Sequence, residues 1–260
     1  MTVSRASGIQ VWMVSLDLPL PMVESLWRVL SPDERARAAA FRLEAHLARF
    51  VAARGLLRAV LARHLERAPA SLVFGYGPWG KPFLADEKGP NGLRFNLSHA
   101  GRVMLVALAR GGEVGVDVEV PRPGVAPERI AEAAFSQSEK AALVALPESD
   151  RDAAILRGWT RKEAVIKATG LGVALAPDRV EVSLAPHAAA LIRIDGDRRR
   201  AKRWSLHHLV LGEGHVGALA AERLAFFKVP RRIAIVPEIP KGPTGKPQRI
   251  GLAGKLGLGR

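Results

Sequence analysis

The chain contains no cysteine. Disulfides, thiolate-bound metals and cysteine nucleophiles are thereby excluded, and a reducing compartment, the cytoplasm, is the expected location. Aromatic residues are scarce, with a single Tyr. There is no RNP-type aromatic motif, no zinc-finger spacing and no helix-turn-helix signature, so nucleic acid is not the expected partner. No apolar run approaches the ~20 residues of a membrane span, so no membrane association is expected. The opening residues lack the apolar core of a signal peptide. Acidic residues are few: 25 against 39 Lys and Arg, a net charge of +14 over 260 residues. The expected partner is therefore anionic, and a phosphorylated cofactor and an acidic protein both qualify.

What is present reads as two rounds of helices followed by strands. Ser31-Pro32-Asp33-Glu34 has the form of a capping box, with Pro in the first turn. An Ala/Leu/Arg-rich helix is expected over about residues 44–67, then a Gly/Pro-rich loop over 74–84. Strands are expected at 93–97, 103–109 and 114–120, with Gly111-Gly112 as a hairpin turn between the last two. A second capping box, Ser136 to Glu139, opens a short helix. Residues 150–169 form a strong helix stopped by Gly170. Further β-rich segments lie near 180–184, 204–211 and 215–220. The expected fold is α+β, a pseudo-dimer of two similar halves over residues 1–111 and 112–221. A basic tail follows at 222–260, where nine Lys or Arg face two Glu and carry half of the net charge.

Four segments carry candidate chemistry. In Val114-Gly115-Val116-Asp117-Val118-Glu119 the strand period of two puts the valines on one face, and Asp117 and Glu119 together on the other. Two adjacent carboxylates call for a cation such as Mg²⁺, or else belong to a wet strand face. In the helix after Gly158, residues Trp159, Glu163 and Lys167 recur every four positions and share one face. That carboxylate can complete a metal site or accept a proton, and the lysine can neutralise a leaving phosphate. A plain Glu163–Lys167 surface pair is the alternative. Ser98 and His99, in Phe95-Asn96-Leu97-Ser98-His99-Ala100-Gly101, can hydrogen-bond a phosphate, or else serve a turn. Lys81, in Gly80-Lys81-Pro82, is a loop lysine without the glycine spacing of a P-loop.

These segments, in this order and spacing, resemble the Sfp-type 4′-phosphopantetheinyl transferases over about residues 10–221. The resemblance implies a pseudo-dimer with its active site between the halves. It implies transfer of the 4′-phosphopantetheine arm of coenzyme A to a serine of an apo acyl or peptidyl carrier protein, with release of 3′,5′-ADP. It makes Asp117, Glu119 and Glu163 the Mg²⁺ carboxylates, with Glu163 or a metal-bound water as base and Lys167 beside the leaving pyrophosphate. Ser98 and His99 would hold the 3′-phosphate region, Lys81 the nucleotide, and Arg42 and Arg49 further cofactor phosphates. A monomer is expected. The tail is similar to the C-terminal end of adenylate-forming acyl-CoA ligases, with Lys246 at the catalytic lysine's place. The rest of such a ligase is absent, so a vestigial or docking appendage is expected. The alternatives are a coenzyme A or carrier-protein binder without chemistry, and a ligase-associated protein acting through the tail.

Overall fold

The computed structural model describes residues 2–6, 8–87, 89, 91–121, 124, 126–212 and 214–223. The expectations for the tail beyond Arg223, including Lys246, lie outside these residues.

The first half contains strands β1 (Thr2–Ala6) and β2 (Ile9–Ser15), helices α1 (Leu20–Arg28), α2 (Pro32–Ala39) and α3 (Glu44–Leu65), and strands β3 (Phe74–Tyr76), β4 (Pro82–Leu84), β5 (Leu93–Ala100) and β6 (Val103–Arg110). The second contains strand β7 (Val114–Glu119) and helices α4 (Pro127–Ala134), α5 (Gln137–Val144) and α6 (Glu148–Thr169). Strands β8 (Val180–Val182) and β9 (Leu191–Ile194), helix α7 (Arg198–Lys202), and strands β10 (Trp204–Val210) and β11 (Val216–Glu222) complete it. Both expected capping boxes are present, at Ser31/Glu34 and Ser136/Glu139. Helix α3 ends where Glu66 turns left-handed, and α6 ends at Gly170 in the same conformation.

The strands form two main antiparallel sheets, β1-β2-β6-β5 and β10-β11-β7, with two-stranded pairs β3-β4 and β8-β9 beside them. Three cores follow from strand alternation. On one face of the first sheet, Trp12, Val14, Phe95 and Val106 pack with Leu57 and Leu61 of α3. Its other face, through Val11, Leu105 and Ala107, meets Val116, Val118 and Leu219 of the second sheet. The far face of the second sheet, through Ala218 and Ala220, packs on Ala164, Val165 and Ala168 of α6. The layers therefore run helix, sheet, sheet, helix, and the two halves share the central core.

Two expectations are corrected. Gly111-Gly112 does not turn a hairpin, because β6 and β7 belong to different sheets. The left-handed Gly111 (φ +76°) instead carries the chain from the first half to the second. Residues 74–84 are not all loop; they hold the β3-β4 pair, with Phe74 opposite Leu84.

Candidate active site

Strand β7 and helix α6 carry the core of the site, and small residues let them touch. A Cβ placed on Gly115 would lie 2.1 Å from the Ala164 carbonyl oxygen and 2.3 Å from the Ala168 nitrogen. Only glycine allows this approach. The close contact turns one face of α6 onto one face of β7, so that Trp159, Glu163 and Lys167 meet Asp117 and Glu119. Trp159 Nε1 donates to Glu119 Oε1 at 3.1 Å. Two turns further on, Lys167 Nζ donates to Asp117 Oδ1 at 2.5 Å. Glu163 sits one turn from each, and no hydrogen bond is made to its carboxylate among the described residues. The alternative of an ordinary Glu163–Lys167 surface pair is not what forms; Lys167 is committed to Asp117.

The first half completes the arrangement. Strand β5 lies against β7 without a backbone ladder between them. Side chains make the join instead. Asn96 Oδ1 accepts from the Val116 amide at 2.9 Å, and Ser98 Oγ donates to Asp117 Oδ1 at 2.7 Å. Lys167 Nζ also donates to Ser98 Oγ at 3.0 Å. Asn96 and Ser98 are two residues apart, so they share the β5 face that looks at β7. Asn96 lay within a recognised segment but had no role in the sequence reading. Its burial beside a strand amide was the signal that only three dimensions supply.

The electrostatics are unequal. Burial pushes the Asp117 carboxyl up, against the pull of Lys167 and Ser98. Burial also raises Glu163, and the negative charges of Asp117 and Glu119 add to the effect. His99, beside Lys167, is held down by desolvation and by that lysine's charge, so its imidazole favours the neutral form. Asp117 Oδ2 is buried and has no hydrogen-bond partner among the described residues. An orphaned carboxylate oxygen with two further carboxylates nearby fits a hard divalent cation, whose ligands are oxygens. As placed, no three His, Asp or Glu side chains among the described residues are gathered closely enough to hold a metal. The ammonium of Lys167 is the cation on Asp117.

The remaining expected residues make their bonds outside the Asp117–Lys167 cluster. Lys81 points its ammonium at Glu113, Val114 and Ala168 within the protein. Arg49 pairs with Asp17 at 3.3 Å on the exposed side of α3. Arg42 is exposed between α2 and α3. Neither arginine bonds a residue of the Asp117–Lys167 cluster among the described residues.

Two openings flank the cluster. A cleft of about 400 Å³ between the halves is lined by Trp79, Lys81, Asn96, Glu163 and Lys167. A largely apolar groove of about 1180 Å³ lies on the other side of Glu119 and Trp159, bordered by Ile130, Leu156, His208 and Leu211.

A buried Asp117 beside the half-buried Glu119 and Glu163, an apposed lysine and a cleft between two α+β halves make up the candidate site. Comparison with known proteins names the family. Residues 113–220 match the model of the 4′-phosphopantetheinyl transferase superfamily, and residues 21–110 match the 4′-phosphopantetheinyl transferase N-terminal model. The chain is 36% identical over 212 residues to the 4′-phosphopantetheinyl transferase HetI of Nostoc sp., covering 82% of this chain and 86% of that protein. It is 40% identical over 113 residues to AcpT of Escherichia coli, covering 44% and 55%. It is 27% identical over 178 residues to Sfp of Bacillus subtilis, covering 68% and 77%. The chain belongs to the 4′-phosphopantetheinyl transferase superfamily. The boundary between the two matched models falls at the Gly111-Gly112 crossover. No helix among the described residues is long and apolar enough to cross a membrane.

Proposed function

We propose that this transferase moves the 4′-phosphopantetheine arm of coenzyme A onto a serine of an apo acyl or peptidyl carrier protein. The serine oxygen forms the new bond to the pantetheine-side phosphorus. The pyrophosphate bridge breaks, and 3′,5′-ADP leaves. The observation that carries the reading is the α6 face of Trp159, Glu163 and Lys167 closed on Asp117 and Glu119 of β7.

Asp117, Glu119 and Glu163 would hold Mg²⁺, which when bound neutralises charge on the pyrophosphate. Glu163 would take the serine proton, since burial and the neighbouring carboxylates raise its pKa and make it the stronger base. Lys167 supplies positive charge to the departing phosphate and is steered by Asp117 and Ser98. Ser98 and a neutral His99 offer hydrogen bonds to the 3′-phosphate region. Arg42 and Arg49 are left for phosphates reaching over α3. The cleft that Lys81, Glu163 and Lys167 line supports coenzyme A binding, and the apolar groove beside Glu119 supports docking of the carrier and its arm. The net charge of +14 suits an acidic carrier surface. The cysteine-free composition supports a cytoplasmic setting, and we take the working unit to be the monomer.

The test incubates the purified chain with Mg²⁺, coenzyme A and apo-carriers from fatty-acid, polyketide and peptide assembly, and weighs each carrier. One arm's mass should be added to at least one of them. Coenzyme A binding with no mass gain on any carrier would leave a binding module and sink the transferase reading.

A further inference from the structure

Lys81 comes from the first half, in the turn between β3 and β4, and its ammonium is spent on the second. Nζ lies 2.6 Å from Glu113 Oε2, 3.1 Å from the Val114 carbonyl and 2.9 Å from the Ala168 carbonyl. An ammonium has three hydrogens, and these acceptors use all of them. Each acceptor sits at a strategic point. Val114 begins β7, three residues before Asp117, and Glu113 immediately precedes it. Ala168 is in the last turn of α6, next to Lys167.

The Ala168 carbonyl is among the last four of the helix, which have no partner within it. A cation there also meets the negative end of the helix dipole. The stem of Lys81 packs against the stop residue, its Cδ being 3.5 Å from the position of a Cβ on Gly170. Its side chain is only 16% exposed. Burial pushes its pKa down while Glu113 pulls it up. Turning this ammonium outward to a phosphate would take its donor from two backbone carbonyls and leave the Glu113 carboxylate to Arg94, 3.2 Å away.

We propose that Lys81 is a positioning residue for the transfer rather than a ligand of the nucleotide. It fixes the last turn of α6 against the start of β7, and so sets Lys167 and Glu163 over Asp117. The inference rests on the transferase reading for the word transfer, but not for the structural tie.

Lys81→Met keeps the stem and removes the donor. Its kcat should fall about tenfold or more, with KM for coenzyme A and Kd for 3′,5′-ADP within about threefold of the parent. Glu113→Gln should shift the same quantities in the same direction by less, and it serves as the test if Lys81→Met fails to fold. The parent has no cysteine, so Lys81→Cys alkylated with 2-bromoethylamine places an amine back at that one position, and kcat should recover. A rise in Kd for 3′,5′-ADP of about tenfold with kcat intact is the signature of a lost ligand and overturns the proposal. Amide hydrogen exchange gives a readout independent of activity. In Lys81→Met, exchange over residues 114–119 and 164–169 should rise together, and unchanged exchange in both also overturns it. Should the parent itself modify no carrier, the transferase reading fails, while the exchange result still decides the tie.

Discussion

Replacing Gly115 by alanine should separate the two elements that carry the site. The added Cβ would fall 2.1 Å from the Ala164 oxygen, 2.3 Å from the Ala168 nitrogen and 2.8 Å from the Ala168 Cα. All three are backbone atoms of α6, so no side chain can swing aside. To reach the 3.4 Å of ordinary contact from 2.1 Å, the helix must retreat by about 1.3 Å. Overpacking of this kind costs about 1–3 kcal/mol of stability. The Lys167–Asp117 contact, now 2.5 Å, would stretch past hydrogen-bonding range. A misplacement of about 1 Å is enough to cost about 10²-fold in rate. Urea denaturation followed by tryptophan fluorescence reads the first effect, and the carrier mass assay reads the second. Ala164→Gly or Ala168→Gly added to Gly115→Ala should not rescue either, since the obstructing atoms remain. A Gly115→Ala protein within about 0.5 kcal/mol of the parent, with its turnover unchanged, would refute the account of how β7 and α6 meet.

Glu163→Gln should lower turnover about 10²-fold or more in the mass assay. In metal-free buffer it should also raise Tm at neutral pH. The raised carboxyl binds its proton more tightly folded than unfolded, so its contribution is fully favourable below the unfolded pKa and is lost as pH rises through the folded one. The gain in Tm should therefore shrink toward acid pH, and a gain that grows on acidification contradicts the assignment. Trp159→Phe removes the donor to Glu119 Oε1 and should slow transfer about tenfold with little change in the urea midpoint, whereas an unchanged rate would mean that the indole only packs. Glu139→Ala strands a buried Lys162, which is fully enclosed and bonded to Glu139 at 2.6 Å. It should cost about 3–5 kcal/mol by urea denaturation, and a loss near zero would deny the pair a structural role.

Much of the site was legible because helical and strand periods bring residues to one face without further information. Trp159, Glu163 and Lys167 needed only the four-residue spacing. Asp117 and Glu119 needed only the two-residue one. What the chain does with a buried charge was not legible. Lys162 sits between Arg161 and Glu163 in a run of polar residues that reads as solvent-facing. It is interior because Glu139, already seen as a helix cap, turns its other contacts inward to Lys162 and the Val182 amide. Lys81 has the same difficulty: a loop position does not reveal that three acceptors surround it. Strand β2 escaped notice because it is covered on both faces. Trp12 and Val14 face α3 while Val11 faces the second sheet, so apolar and polar residues do not alternate along it. The Gly111-Gly112 error has a similar origin, since a two-glycine turn between apolar runs looks the same whether the strands pair or part.

The shared central core makes the two halves dependent on each other. Val11, Leu105 and Ala107 from one, and Val116, Val118 and Leu219 from the other, would face water if the chain were severed at Gly111-Gly112. Each fragment would then carry an apolar sheet face that its sibling covers, and the Ser98–Asp117–Lys167 cluster would be divided, with Ser98 on one piece and Asp117, Glu163 and Lys167 on the other. Severed there, the molecule becomes a split enzyme whose output reports the reunion of its parts.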